Sequence, residues 1–494
     1  MTAERRGFLL FCAAVAALTA VRLLGLMLAT TDLYVDEAQY AVWAQTPAWG
    51  YYSKPPMIAW LIGGAASVCG WGEACVRAPS TLVWAITPLF VFLAADTLFG
   101  RRVAWFAGLG TLLAPGAAFS TRIISTDAPL LMFWSLALLA FVRLRAGGGW
   151  GWVPVLGAAI GLGLLSKYAM AYVLGCAVAA AMADRDSRRV VLSWKGLAVL
   201  GVALLVLSPN ILWNLANGLA TARHTADNAS GGGLTPGLAD PLEFLAAQLA
   251  LAGPVVLVGF GLAAWKARRA GAEPADRMLL AFSLPIFAVL TVVAILTRAH
   301  GNWAATALPA VWILGSALLV REEREGWLKG GLAFGAFMQV VLLAADVAAE
   351  GWVLNGKPPF HRTLGWEPFS EGVAETARLA GGRTVVVESR REAAALAHYA
   401  KDRPLAVAAW PARDPAAPED HFQMSRPLTA AASGPVIAVS PCEDAARFAN
   451  SFGRVEPLGR LATPVGRGEP RVVWLYRLSE PKPTVARPLD CPAS

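Results

Sequence analysis

Charge is scarce in this chain of 494 residues: Asp, Glu, Lys and Arg together make up only 15% of it, while 56% is hydrophobic. A soluble protein carries roughly 25% charged residues, so composition alone excludes an ordinary water-soluble globule. Cysteine is scarce too. Six cysteines across the chain are too few for a disulfide scaffold, and none has a zinc-type spacing. Neither a Walker loop nor a G-x-G-x-x-G fingerprint occurs, which removes the commonest signatures of nucleotide-dependent enzymes. The net charge of +8 is modest, and no nucleic-acid partner is expected. No internal repeat is visible.

The chain is instead rich in apolar runs of about 20 residues, each long enough to cross a hydrocarbon core of roughly 30 Å. Eleven spans are expected, near residues 8–30, 78–99, 103–120, 128–144, 152–166, 169–183, 196–213, 243–265, 278–297, 303–320 and 330–349. The first follows Arg5 and Arg6 and meets no small-residue cleavage site, so it reads as a retained anchor. The apolar but short segment 55–70 reads as an interfacial helix. Lysine and arginine crowd alternate loops, whereas the loops between them keep only Lys54, Arg77, Arg122, Lys167, Arg223 and Arg298. By the positive-inside rule the N-terminus is cytoplasmic and residues from 350 onward lie outside. There the composition changes. "GGRTVVVESRREAAALAHYAKDRPLAV" reads as strand, amphipathic helix, strand, and "GPVIAVS" and "RVVWLYRLS" as further strands. The expected architecture is an α-helical polytopic membrane domain, 1–349, followed by a soluble α/β domain, 350–494. Cys69, Cys75, Cys442 and Cys491 would face an oxidising compartment, and sequence does not give their pairing.

The outer loops collect the reactive side chains. The first, "VDEAQYAVWAQTPAWGYYSKPPMIAW", holds Asp36, Glu37, Tyr40, Tyr52 and Lys54, with Arg77 just beyond. "TRIISTDAPLLMFW" carries Arg122 and Asp127, "SKYAM" carries Lys167, "SPNILWNLANGLATARHTADNA" carries Trp213, Asn214, His224 and Asp227, and "TRAHGNWAA" carries His300 and Asn302. Any one of these residues has an ordinary reading: Asp36 as a helix cap or arginine partner, Asp127 as a cap, Lys54 or Lys167 as a snorkelling cation. Five loops together have another, an outward-facing site at the membrane surface. Carboxylates suit general-base work, and cations suit a leaving phosphate. Aromatic rings and amides suit a sugar. A membrane-held phosphate donor carrying a sugar joins these needs.

"DEAQY", "YYSKPPMIAWLIG", "VRAPS", "TDAPLLMFW", "LSKYAM", "PNILWNLANG" and "GNWAA" resemble bacterial glycosyltransferase family 39, the protein-mannosyltransferase-like enzymes of C-type fold. That family includes the aminoarabinose transferase of lipid A, and the local wording is closest to the polyprenyl-phosphate galacturonosyltransferases of lipopolysaccharide. The resemblance implies inverting transfer from a polyprenyl-phosphate sugar to lipopolysaccharide or another envelope acceptor, in the bacterial inner membrane with a periplasmic site. It implies Asp36 as catalytic carboxylate, Glu37 as its support and Asp127 as a second acid. Lys54 and Lys167, with Arg77 and Arg122, would hold the donor phosphate. Tyr40, Tyr52, Trp213, Asn214, His224, His300 and Asn302 would meet sugar or acceptor. The aminoarabinose branch has a metal-linked glutamate before the K-P-P lysine. This chain has Ser53 there, so a divalent metal is left open, with His224 and Asp227 as its candidates. The reading from another class is a transporter or flippase of lipid-linked sugars. Such proteins keep ionisable groups near the midplane and show repeats, and a catalytically dead binding subunit would not need Asp36 and Lys54.

Overall fold

The computed structural model describes residues 3–230, 237, 239–355, 358–414, 417–432 and 434–491. They divide into two compact units. One comprises Met1–Met27, Lys54–Val68 and Ala74–Ala344; the other comprises Leu28–Ser53, Cys69–Glu73 and Ala345–Ser494. The second unit therefore gathers the C-terminal segment together with most of the first polar loop, rather than residues 350–494 alone.

The first unit is helical throughout. Among the described residues seven helices are long and apolar enough to span a membrane: Arg5–Leu28, Glu73–Phe99, Asp127–Arg145, Trp194–Ala216, Pro274–Leu296, Gly301–Arg321 and Glu325–Val347. Each falls on one of the eleven expected runs. The runs at 152–166 and 169–183 form the shorter apolar helices Trp152–Ser166 and Tyr168–Ala183. Two expected spans are not continuous helices. Residues 103–120 break between Arg101–Leu113 and Pro115–Ser120, and 243–265 divides into Ala239–Ala252 and Pro254–Arg269, bent by 113°. Proline causes both breaks, since it has no N–H to give and its ring clashes with the preceding turn. At the second, Gly253 adopts φ 93°, a conformation costly for any side chain.

The most buried of the long helices is Gly301–Arg321. Gly315 lets it close on the Pro254–Ala270 helix, because a Cβ there would collide with the Val256 carbonyl. Trp312 Nε1 donates to the Ala252 carbonyl at 3.1 Å, beside the bend. The Met57–Cys69 helix starts immediately after Pro55–Pro56, and the Pro56 carbonyl accepts its first bonds, from Ala59 and Trp60.

The second unit is built on a five-stranded sheet of β1 (Thr384–Val387), β2 (Ala406–Ala409), β3 (Val436–Ser440), β4 (Phe452–Thr463) and β5 (Arg471–Pro481), in the order β2-β1-β3-β5-β4. β1 pairs in parallel with β2 and β3, joined to β2 through the Arg390–Tyr399 helix; β5 runs antiparallel to β3 and to β4. Trp410 and Phe448, stacked at 5.7 Å, pack against the sheet together with Tyr476 of β5. A disulfide joins Cys442 to Cys491, and Cys69 and Cys75 are also disulfide-bonded.

Candidate active site

Asp36 and Glu37 stand in the first turn of the Val35–Ala44 helix, which packs on the Arg390–Tyr399 helix. Their environments differ. Glu37 is only 1% exposed, and its carboxylate accepts the Tyr34 backbone N–H at 2.9 Å. That bond is the return half of a capping box, so Glu37 fixes the turn on which Asp36 is carried. Asp36 is open to solvent along one side, with 39% of its side chain exposed, and meets Arg390 Nη1 at 2.8 Å. The same nitrogen donates to the buried Gln39 side chain at 3.3 Å. A cation in the first turn of a helix opposes the helix dipole, so helix propensity does not account for Arg390. The carboxylate it holds does.

Arg390 is the residue sequence reading missed. Ser389 and Glu392 form an S-x-x-E start signal, and the Ser389 hydroxyl accepts the Glu392 N–H, so the helix start was readable. Its partner 354 residues upstream was not. Two further bonds fix the same segment: Asp32 accepts the Trp366 N–H at 2.6 Å, and Leu33 N–H donates to the Tyr399 hydroxyl at 2.7 Å.

Tyr40 is buried against Trp43 at 5.2 Å, and Trp43 stacks on Tyr51 at 4.7 Å. A ring enclosed in that cluster packs the helix and offers no open face to a sugar, so the expectation for Tyr40 is revised. Tyr52 donates its hydroxyl proton to the Pro418 carbonyl at 2.7 Å.

In the helical unit, three of the polar loops converge. Asp127 begins the Asp127–Arg145 helix. Lys167 Nζ donates to its Oδ1 at 2.7 Å and Asn302 Nδ2 to its Oδ2 at 2.8 Å. Lys167 and Asp127 are 19% and 15% exposed, enough to reach solvent yet shielded. Both Asp127 oxygens are thus occupied, which suits a residue that orients a lysine better than one that takes a proton. Beside Lys167, Tyr168 donates to Asn210 Oδ1 at 2.8 Å, and Asn214 donates to the Tyr168 hydroxyl at 3.0 Å. Trp213 is half-buried next to them. His300 lies edge-on to Trp303 at 5.5 Å.

The remaining expected residues come from other segments. Arg77 is fully buried near the start of the Glu73–Phe99 helix. Arg122 follows the Pro115–Ser120 helix and is 9% exposed. Lys54 is half-buried at the edge of the helical unit. His224 and Asp227 lie three residues apart on the Ala220–Ser230 helix. Among the described residues no three His, Cys, Asp or Glu side chains converge, and Ser53 offers no carboxylate.

Residues 53–213 match the family model described as dolichyl-phosphate-mannose-protein mannosyltransferase. The chain is 32% identical over 413 residues to lipid A galacturonosyltransferase RgtD of Rhizobium johnstonii, covering 82% of this chain and 85% of the relative. It is 27% identical over 338 residues to lipopolysaccharide core galacturonosyltransferase RgtA of the same organism, with 66% and 67% covered. Among solved structures, ArnT from Cupriavidus metallidurans bound to undecaprenyl phosphate superposes with a TM-score of 0.68 at 17% identity, covering 94% of this chain and 97% of that one. The apo form gives 0.67 at 16% identity over 96% and 98%. The helical bundle with its small sheet domain is therefore the C-type glycosyltransferase fold, and the chain spans the membrane several times. The chain belongs to the protein-mannosyltransferase-like glycosyltransferases, family 39, in the group that contains the lipopolysaccharide galacturonosyltransferases.

Proposed function

We propose that the chain transfers galacturonate from a polyprenyl phosphate to lipid A or the lipopolysaccharide core, at the periplasmic face of the inner membrane with its N-terminus in the cytoplasm. The observation that carries the reading is the 32% identity to a lipid A galacturonosyltransferase over most of both chains. The geometry agrees with it: a half-exposed carboxylate on a capped helix turn, and a shielded lysine oriented by Asp127, which Asn302 holds in turn.

In this reaction Asp36 takes the proton of an acceptor hydroxyl. The hydroxyl oxygen attacks the anomeric carbon, the bond from that carbon to the phosphate oxygen breaks, and polyprenyl phosphate leaves with the configuration inverted. The position of Asp36 is what makes it a base. Glu37 and Arg390 supply that position. Lys54 and Lys167 meet the departing phosphate charge, as lysines can when held near a developing anion. Tyr52, Trp213, Asn214, His224, His300 and Asn302 stay as the sugar and acceptor contacts.

The test is a transfer assay in membranes with polyprenyl-phosphate sugars and lipopolysaccharide acceptors, wild type against Asp36→Asn. Wild type should add one uronic sugar to the acceptor, and the variant should fall by about 10²–10⁴, the usual contribution of a general base. Equal transfer by the variant would remove Asp36 from its role. Movement of labelled lipid-linked sugar across the bilayer without transfer would make the protein a flippase.

A further inference from the structure

A cavity of about 150 Å³ opens in the helical unit between the Ala3–Leu28 helix, the break at Ala114–Pro115 and the Glu325–Val347 helix. Much of its wall is aliphatic, including Leu18, Val340 and Leu343, yet Arg22, Arg122 and Gln339 also enter it and no carboxylate lines it. Charge within a membrane span is costly, so a guanidinium group such as that of Arg22 in this wall needs a reason.

Arg22 is 7% exposed. Its Nη2 donates to the Leu112 carbonyl at 2.7 Å, and Nη2 and Nε donate to Gln339 Oε1 at 3.0 and 3.1 Å. The first bond has a local cause: the helix stops before Pro115, so carbonyls of its last turn lose their usual partners. Nη1 is different. It is buried and, among the described residues, donates to no group, and a buried donor left unmatched loses its solvation without return. Arg122 comes alongside: its Nη1 lies 3.9 Å from where a Cβ on Gly25 would stand, one turn beyond Arg22. Capping the broken helix explains one nitrogen of Arg22. It does not explain Nη1.

The position selects the ligand. Arg22 precedes the end of its helix at Leu28 by six residues, about 9 Å at 1.5 Å per residue. That depth suits the head of a lipid drawn slightly inward. Val21 and Val340, both on the cavity wall, are exposed at the helix surface, where the hydrocarbon of a lipid would run. A cavity of about 150 Å³ accepts a molecule the size of benzene, so a phosphate fits. A free inorganic anion would use the guanidinium groups but not the aliphatic wall; a neutral lipid would use only the wall. We propose that this cavity binds the phosphate of a membrane lipid, with Arg22 Nη1 and Arg122 on its oxygens and Leu18, Val340 and Leu343 on its first carbons. None of these residues belongs to the Asp127 cluster; Arg122, which the family resemblance assigns to the donor phosphate, here faces a second lipid-phosphate site.

The full chain in maltoside micelles, which contain no phosphate, is titrated separately with polyprenyl phosphate and with phosphatidylglycerol, and bound lipids are counted by native mass spectrometry. Arg22→Gln removes the unmatched donor. Val340→Trp fills the mouth and leaves every bond of Arg22 in place, so it reports on the site even where the first variant weakens the fold. Wild type should hold one lipid phosphate that both variants bind about tenfold more weakly, the scale of one charge-assisted hydrogen bond. Weakening confined to polyprenyl phosphate identifies that lipid as the occupant; weakening confined to phosphatidylglycerol identifies a glycerophospholipid; weakening of both means that the phosphate alone is read. Equal stoichiometry and affinity for both lipids in all three proteins would overturn the proposal and leave Arg22 as a cap of the broken helix.

Discussion

Replacing Arg390 with glutamine separates positioning from stability at the candidate base. The Asp36–Arg390 pair is 2.8 Å long with both side chains 39% exposed. An exposed ion pair contributes only about 0.2–1 kcal/mol, so the variant should unfold within a few degrees of wild type. Catalysis is far more sensitive, because a misplacement of about 1 Å can cost 10²-fold. Without Arg390, Asp36 keeps its place in the helix turn but loses the contact that selects its rotamer. Turnover should fall by about 10- to 100-fold while KM for the lipid donor stays within a factor of about three, the pattern of an interaction that matters in the transition state. Arg390→Lys should recover part of the loss, since one Nη1 now serves both Asp36 and Gln39 and a lysine nitrogen can replace it. The assay is steady-state transfer at saturating acceptor with donor varied. Wild-type kcat and KM in Arg390→Gln would refute the reasoning, and a raised KM with unchanged kcat would make Arg390 a substrate contact instead.

Asp127→Asn should lower transfer about as far as Lys167→Met, and the double variant should be no worse than either, because one bond of 2.7 Å joins the two residues; additive losses in the same assay would show independent roles. Burial holds His398 and His421 down to about 4 from 6.5, with Lys401 and Arg426 respectively adding repulsion. Both rings are therefore neutral when folded, and the stability this gives is full above pH 6.5 and lost as pH falls toward 4. Burial pushes Glu392 up to about 7, which acts oppositely, removing stability as pH rises from 4.5 to 7. Two histidines outweigh one glutamate between pH 6.5 and 4.5, so the melting temperature should drop on acidification, and His398→Phe should shrink that drop; an unchanged drop would exclude His398. The Cys442–Cys491 link closes 49 residues, worth about 4 kcal/mol by loop entropy, so Cys491→Ser should lower the denaturation midpoint of the sheet unit, read by its protease resistance.

Apolar run length made the helices readable, because a span must hide its backbone polar groups within itself. The two breaks were also written in the chain, as Ala114–Pro115 and Gly253–Pro254, but hydrophobicity continues through both and masks them. In the sheet unit, "TVVV" and "VIAVS" are buried strands and stood out by composition. β4 did not. It is an edge strand, largely exposed along its middle, with Gly453, Pro457 and Gly459 and a register shift at the last two, so no apolar alternation marks it. Among the candidate residues, Asp127, Lys167 and Asn302 stand out in their loops, yet that they meet is not legible there. Tyr40 shows the limit from the other side: an aromatic residue in a polar loop looks like a sugar platform until packing encloses it. Arg22 had no readable role, because its partners, Leu112 and Gln339, come from two other helices.

The bonds from Asp32, Leu33 and Asp36 to Trp366, Tyr399 and Arg390 bear on how such enzymes can diversify. A terminal module that merely sat beside a reaction centre could be exchanged between relatives to alter acceptor choice at no expense in rate. Here the exchange would also replace three residues that hold the segment carrying the candidate base. Chimeras joined near residue 350 should therefore inherit new specificity and impaired turnover together, and recover speed only when residues 28–53 travel with their own C-terminal segment.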